Sequence, residues 1–600
     1  MFKGQPKALF VLALANTGER FGYYTMLSIF ALYLQAKFGF TPAKTSLIYS
    51  TFLASIYIMP LLGGFLADRF LGYGKTVLSG IVVMFFGYAL LAAPVVDIEL
   101  GFWMMIGALT LIALGTGLFK GNLQTLVGNL YDDAKYSAKR DVAFSIFYMF
   151  INIGAFFAPN AAEMVSNYIL AEDNLKYEAK VPDLALKYLN YKVVDSAEFV
   201  SRVKATAEAE KKEITDFSAI VSSAKKKESA LFTYEYTAIE EELTASGKEQ
   251  QKSNFVDAKS FAQTYVGSLG KSYKWGFGVA CISLVLSILI FIGFRGTYKH
   301  ADFNEKQKKK DVEKKKDMII LTKEQVRERI IALLLVFFVV IFFWLSFQQS
   351  GLTLTFFARD YTNLSVGKGM YLLFYLPSLI SLSIGFYGLL MLVQNKVLRN
   401  KMIGAGLLIA CIITEIYIYL GFPEVNTVTP PIFQQFNPFF IVLLTPIFVA
   451  LFSWLNNRGK EPSAPRKIGY GMFIAGLGFA ILIVASLGQP APSELMGTSN
   501  SLVSPNWLIS TYFTLTLAEL FLSPMGISFV SKVAPPQYKG LMMGGWFAAT
   551  AIGNQLIGLM GSFWDKLPLY AFWMVLVICC ILSALFIFSI IKRLEKATSF

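Results

Sequence analysis

Four ionisable residues stand in runs that are otherwise as apolar as a membrane interior: Glu19, Arg20, Lys120 and Glu519. A charge at the centre of a lipid-spanning helix costs roughly 2.5 to 3.5 kcal/mol on insertion scales, so such residues turn toward a polar cavity and toward one another. The chemistry open to them is ion pairing and proton exchange. Within N-T-G-E-R-F-G-Y-Y, the residues Asn16, Glu19, Arg20, Tyr23, Tyr24 and Leu27 recur at the spacing that places them on one face of a helix. Two aromatic hydroxyls beside an acid and a base read as the lining of a site, in preference to an ion pair that only staples neighbouring helices. Lys120 and Glu519 have no opposite charge within a helical turn. Each is therefore expected to find a partner across a bundle, in a contact that can open and close.

Lesser polar marks accompany them. Asn152, Gln348, Gln349, Asn437, Thr550 and Asn554 lie in apolar runs, with Tyr57, Trp344 and Trp546 as aromatic walls. Trp344 and Gln348 are four apart, as are Trp546 and Thr550, so each pair sets a ring and a polar group on one helix face. Each also has a plainer reading as an interhelical hydrogen bond. Glu415 reads as a packing or boundary residue.

The elements that hold these residues must be helices. The 600 residues are 55% hydrophobic and 16% charged, which excludes a water-soluble multi-domain enzyme. A span needs about 20 apolar residues, and fourteen such runs occur, all helical because lipid leaves no other open backbone satisfied. The expected fold class is an all-α integral membrane protein with a helical extramembrane insert. Helices 1–5 fall in residues 1–165, the insert in 166–274, helix 6 in 275–294 and a cytoplasmic linker in 295–328. Helix 7 follows in 329–360, two additional helices in 366–422, and helices 8–12 in 437–600.

Charge sets the orientation. The insert holds 16 basic and 17 acidic residues, leaving 38 and 23 elsewhere, so the net +14 belongs to the membrane part. Loops such as Asp68 to Lys75 and Asn457 to Lys467 are basic, and alternate loops are not. The positive-inside rule then places both termini in the cytoplasm and the insert outside, and assigns the excess charge to the inner membrane face and not to nucleic acid. The run Lys306 to Lys316 reads as a solvated linker in preference to a lipid contact. Cys281, Cys411, Cys579 and Cys580 lie in apolar runs and read as buried thiols, while His300, the single histidine, sits in the linker. With no metal spacing, phosphate loop or nucleophile paired to a histidine, neither an enzyme nor a bound metal or cofactor is expected.

Several motifs stand in a telling order: E-R-F-x-Y-Y at Glu19 to Tyr24, G-x-G-x-x-K ending at Lys120, F-Y-x-x-I-N-x-G from Phe147 to Gly154, N-P at Asn437 and Pro438, and E-L-x-x-S-P-x-G from Glu519 to Gly526. In this the chain resembles the proton-dependent oligopeptide transporters of the major facilitator superfamily. Gly64, Asp68 and Arg69, with Gly72 and Lys75, resemble the superfamily's loop motif between helices 2 and 3. The resemblance implies two six-helix bundles plus two extra helices, fourteen spans in all, in the plasma membrane (the inner one in a bacterium). It implies proton-coupled import of di- and tripeptides by alternating access. Its partners would be those peptides, protons, the bilayer and an unknown partner of the insert.

By the same resemblance, Glu19, Arg20, Lys120 and Glu519 would couple protons. Arg20, Lys120 and Asn152 would meet the peptide carboxylate, and Asn437 and Glu519 its amino terminus. Tyr23, Tyr57, Trp344, Trp546 and Thr550 would line side-chain pockets, with Tyr24 and Gln348 in the same lining. Three positions depart from the family pattern: Asn16 stands for an acid, Leu27 for an arginine and Gln348 for a glutamate. The extra helices also fall after helix 7 and not between the halves. These departures keep open a facilitator, or a carrier of another small anion or drug, without proton coupling; the insert keeps open a membrane sensor.

Overall fold

Helix starts and stops are written locally. The computed structural model describes residues 4–302, apart from 96, 133–134, 137–138, 174, 176, 178–180, 183–184, 186–188 and 190–257, and residues 322–598, apart from 395–396, 496–500 and 536–537. Helix α1 (Lys7–Phe38) ends at Gly39, whose φ of 62° suits glycine. Helix α2 (Pro42–Leu66) starts from Thr41, whose Oγ1 accepts from the Lys44 N–H at 3.3 Å, with Pro42 in the first turn. Helix α3 (Tyr73–Ala92) follows a π-turn over Ala67–Leu71. Asp97 accepts from the Leu100 N–H at 2.6 Å and opens α4 (Ile98–Asn129). Helices α5 (Arg140–Glu172) and α6 (Ala258–Gly293) complete a first group.

A capping box of Thr322 and Gln325 starts α7 (Lys323–Phe347). There follow α8 (Thr353–Tyr361), α9 (Leu376–Gln394), α10 (Leu398–Gly421), α11 (Phe436–Asn457), α12 (Ala464–Ala485), α13 (Asn506–Val533), α14 (Lys539–Gly561), α15 (Leu569–Ser589) and the short α16 (Ile591–Thr598). In the first group α3 packs on α4 and α6, α1 on α5 and α6, and α2 on α4. In the second, α7 packs on α14 and α15, α12 on α13 and α15, and α11 on α13. The groups meet where α2 lies on α14 and α5 on α11, while α9 and α10 form a hairpin that touches α11.

Without a hydrophobic force between helices in lipid, small residues must let backbones touch. At Gly63 of α2 a Cβ would lie 2.1 Å from the Gly117 carbonyl oxygen of α4, so no larger residue fits that crossing. Among the described residues, eleven stretches are long and apolar enough to cross a membrane, which makes this an all-helical, multi-pass membrane protein. Helices α1, with Glu19 and Arg20 at its middle, α13, with Glu519, and the glycine-rich α14 are not among the eleven, yet they pack lengthwise against helices that are.

Several expected boundaries move. Helix α5 continues to Glu172 and α6 begins at Ala258, so residues 166–172 and 258–274, read as insert, are helical extensions. The interior of the insert, with its expected helical fold, lies largely outside the described residues, as does Lys306 to Lys316. The seventh span is broken: α7 stops at Phe347, a 3-10 turn covers Gln348–Gly351, and α8 resumes at Thr353. The break coincides with Gly351, where a Cβ would lie 2.1 Å from the Tyr49 hydroxyl. One short ribbon accompanies the helices: β1 (Ser365–Gly367) and β2 (Val425–Thr427) pair antiparallel in the loops. These strands flank the α9–α10 hairpin, whose two ends must return to one place.

Candidate functional site

The centre of α1 carries a buried ion pair. Arg20 donates from Nε to Glu19 Oε2 at 2.5 Å and from Nη2 to Oε1 at 2.6 Å, and Glu19 is 1% and Arg20 5% exposed. Such a fork satisfies both carboxylate oxygens, which a charge withdrawn from water requires. The Arg20 Cζ also lies 4.8 Å from the centre of the Tyr23 ring. Gly154, the last residue of the α5 motif, brings α5 onto this face: a Cβ there would come within 2.6 Å of the Thr17 carbonyl oxygen and 3.4 Å of Arg20 Cβ.

Lys120 is placed by α4 in the same way. One turn earlier, Gly117 lets α4 lie directly on the backbone of Met59 in α2, 2.6 Å from where its Cβ would be. The Lys120 Nζ then sits 3.9 Å from the centre of the Tyr57 ring, a cation–π contact. Tyr57 in turn lies 6.3 Å from the ring of Trp344, across the junction with α7. The Trp344 Nε1 and the Asn16 Nδ2 are buried without a hydrogen-bond partner, two donors left for something else to accept.

Glu519 ties three helices. Its Oε2 accepts from Asn437 Nδ2 of α11 at 2.8 Å, and its Oε1 accepts from the Tyr148 hydroxyl of α5 at 3.1 Å. Asn437 Nδ2 also donates to Thr516 Oγ1 at 3.1 Å. Tyr24 lies within electrostatic reach of Arg20, Tyr57, Glu519 and Glu19, so both poles share one neighbourhood. A cationic edge of Arg20 and Lys120 and an anionic corner at Glu519 can hold a molecule that carries both charges.

Not every expected lining residue has a free group. Of the two partners expected across the bundle, Glu519 has one, Tyr148 of α5, besides Asn437 of its own group, whereas Lys120 lies on Tyr57 within its own group, and no ion pair joins Lys120 to Glu519 among the described residues. Thr550, 1% exposed, donates to the Trp546 carbonyl one turn back on α14 at 3.0 Å. Asn152 donates to the Tyr148 carbonyl at 2.9 Å, and Trp546 is buried against Phe337 with Gly526 beneath its ring. Gln348 sits at the C-cap of α7 in the turn and not within a continuous helix beside Trp344. In the loop motif, Asp68 accepts from the Tyr73 hydroxyl at 2.6 Å, Arg69 lies over Phe65, and Gly64 faces open space.

Sequence reasoning passed over Tyr148, although it stands inside F-Y-x-x-I-N-x-G, four residues before Asn152. It also passed over a band of polar bonds between the helix groups at the end where α1 and α5 finish. There Arg359 donates to Gln35, Asn160 Nδ2 to Gln435 Oε1 at 2.6 Å, Thr429 Oγ1 to Glu163 Oε1 at 2.7 Å, and Gln434 Nε2 to the Ser28 carbonyl at 3.3 Å. No cluster of His, Cys, Asp and Glu able to hold a metal occurs among the described residues.

Comparison with known proteins bears on the family and the fold. The sequence profile described as PTR2: POT family matches residues 74–169 and 422–574. The dipeptide and tripeptide permease B of Xenorhabdus bovienii is 24% identical, over 92% of this chain and 86% of that protein. The uncharacterized transporter YclF of Bacillus subtilis is 27% identical, over 94% of this chain and 90% of its own. The crystal structure of a peptide transporter POT in complex with sulfate superposes with a TM-score of 0.61 at 22% identity, covering 100% of this chain and 96% of that one. The motifs along α1, α4, α5, α11 and α13, the profile and the shared fold lead to one conclusion: the chain belongs to the POT family of transporters in the major facilitator superfamily and is not an enzyme.

Proposed function

We propose that this protein imports di- and tripeptides together with protons, by rocking its two helix groups about the central site. The observation that carries the reading is Glu519, a carboxylate in the middle of α13 held by Asn437 of its own group and by Tyr148 of the other. It lies in one neighbourhood with the fork of Glu19 and Arg20, and Lys120 stands on Tyr57 beside that fork. A peptide is a zwitterion of fixed backbone length, so a cationic edge and an anionic corner suit its termini, with Tyr23, Tyr57, Trp344 and Trp546 as apolar walls. Protonation of Glu19 or Glu519 changes what each holds, and with it the balance between conformations. The relatives named as di- and tripeptide permeases support the substrate class.

In this reading the eleven apolar stretches and α1, α13 and α14 give fourteen spans, in the plasma membrane with both termini cytoplasmic. The end bearing the Gln35–Arg359, Asn160–Gln435 and Glu163–Thr429 bonds then faces outward and is closed. The driving force suffices, since one charge moved through about 100 mV yields roughly 2.3 kcal/mol, or nearly fiftyfold accumulation. The test is uptake of a labelled dipeptide into proteoliposomes with and without an imposed pH gradient, beside counterflow without one. Uptake indifferent to the gradient makes the protein a facilitator; no dipeptide counterflow refutes the substrate class.

A further inference from the structure

Glu163 is a carboxylate that the central site does not use. It stands on α5 three residues after Asn160, so both point to one side of the helix, where Pro159 has removed a rung of the backbone ladder. That side meets the segment leading into α11. Asn160 Nδ2 donates to Gln435 Oε1 at 2.6 Å, and Thr429 Oγ1 donates to Glu163 Oε1 at 2.7 Å. Asn160 and Thr429 are buried, and Gln435 fully so. We propose that Glu163 and Thr429 form a protonatable latch between the two helix groups, in which protonation of Glu163 from external water favours closure of the outer end. The proposal rests on the transport reading for the words outer and external.

Among the described residues, the surroundings of Glu163 offer it no paired counter-charge. The segment from Thr429 to Ile441 contains no charged residue. From the segment before α9 the titratable neighbour is Tyr371, and Lys368 of that segment pairs with Glu424 at 2.8 Å. On α6, Lys271 pairs with Glu172 at 3.0 Å and Ser268 binds Asp173, while Lys274 donates to the Val95 carbonyl. On α1 this end carries Gln35, taken by Arg359, which also pairs with Asp360, and Lys37, which lies toward Gly270 and Lys274 of α6. Among the described residues no cation pairs with Glu163. Glu163 itself is half-buried, and a carboxyl that gives up part of its water for a hydroxyl, with no cation among the described residues to pair with it, costs more as the anion than as the acid. Closure and proton binding at such a group must favour each other by linkage. The proton is drawn from and returned to water at the same end, so the latch sets how external pH biases the gate and carries no translocated proton.

Two spin labels report the gate without any substrate: one at Tyr168 on α5 and one at Val425 in β2, both well exposed and on opposite groups. With the four cysteines replaced and the full chain in lipid nanodiscs, the inter-label distance should shorten as pH falls from 8 to 5.5. Glu163→Gln should abolish that change and hold the short distance throughout, and Glu163→Asp should retain it. Asn160→Leu, which removes the neighbouring bond but no titratable group, should also keep the pH response. A wild-type-like response in Glu163→Gln, its absence in the wild type, or its equal loss in Asn160→Leu overturns the latch. Dipeptide counterflow by the wild type, run alongside, separates this failure from failure of the transport reading.

Discussion

Tyr148→Phe deletes a single oxygen and with it the 3.1 Å bond that joins α5 to Glu519 on α13. Hydrogen bonds to charged groups contribute about 1.5 to 3 kcal/mol, and the strong O–H···O⁻ bonds among them are about 2.5 to 2.7 Å long. At 3.1 Å the low end applies, about 1.5 kcal/mol, which is roughly tenfold in an equilibrium constant. Because donor and acceptor lie on opposite helix groups, the bond exists only in conformations that bring the groups together as here. The whole tenfold therefore falls on the conformational equilibrium. Asn437 and Glu519 lie in one group and move together, so Asn437→Ala should shift that equilibrium much less. The assay is the populations in the distance distribution between labels at Tyr168 and Val425, measured at fixed pH in nanodiscs. Glu519→Leu supplies the control, since without an acceptor the effect of Tyr148→Phe should shrink below about 0.5 kcal/mol, the scatter of independent sites. An effect of the same size in both backgrounds would show that the Tyr148 hydroxyl acts elsewhere, and the reasoning fails.

Other outcomes follow from the same geometry. Glu519→Gln should abolish uphill, pH-driven dipeptide uptake while leaving counterflow measurable; retention of uphill uptake removes Glu519 from the coupling. Gly63→Ala places a Cβ 2.1 Å from a backbone oxygen, which overpacking of this kind makes destabilising by about 1 to 3 kcal/mol, read as a lower unfolding temperature in detergent. On α16, outside the spanning segments, hydrogen bonding from Ser463, helped by Arg466, holds Glu595 below the usual carboxylate range. A depressed carboxylate stabilises docking above its unfolded value, about 4.3, and loses that contribution as pH falls through the lower folded value. Amide exchange in α16 should therefore stay slow to below about pH 4.3, and Ser463→Ala should move the onset of fast exchange upward.

How much of this was legible in the sequence depends on the kind of statement. Charge inside apolar runs, counted residue by residue, was enough to single out Glu19, Arg20, Lys120 and Glu519, because lipid makes each such residue costly without a purpose. Helical spacing put Arg20 and Tyr23 on one face, and the structure brings the guanidinium over that ring. The partners were another matter. Lys120 rests on Tyr57, Thr550 spends its hydroxyl on its own helix, and Gln348 belongs to a turn.

Sequence by itself determined that the chain spans a membrane as helices, which faces of those helices are polar, and which family it belongs to. Each follows from local periodicity and composition or from motif order. Tertiary structure alone decided which polar groups meet: Glu519 with Tyr148, Glu163 with Thr429, Arg359 with Gln35. Those pairings depend on how closely helices far apart in sequence approach, and that is set by glycines such as Gly63, Gly117 and Gly154 acting on a partner's backbone. No pattern within one helix records the depth at which its neighbour will cross it.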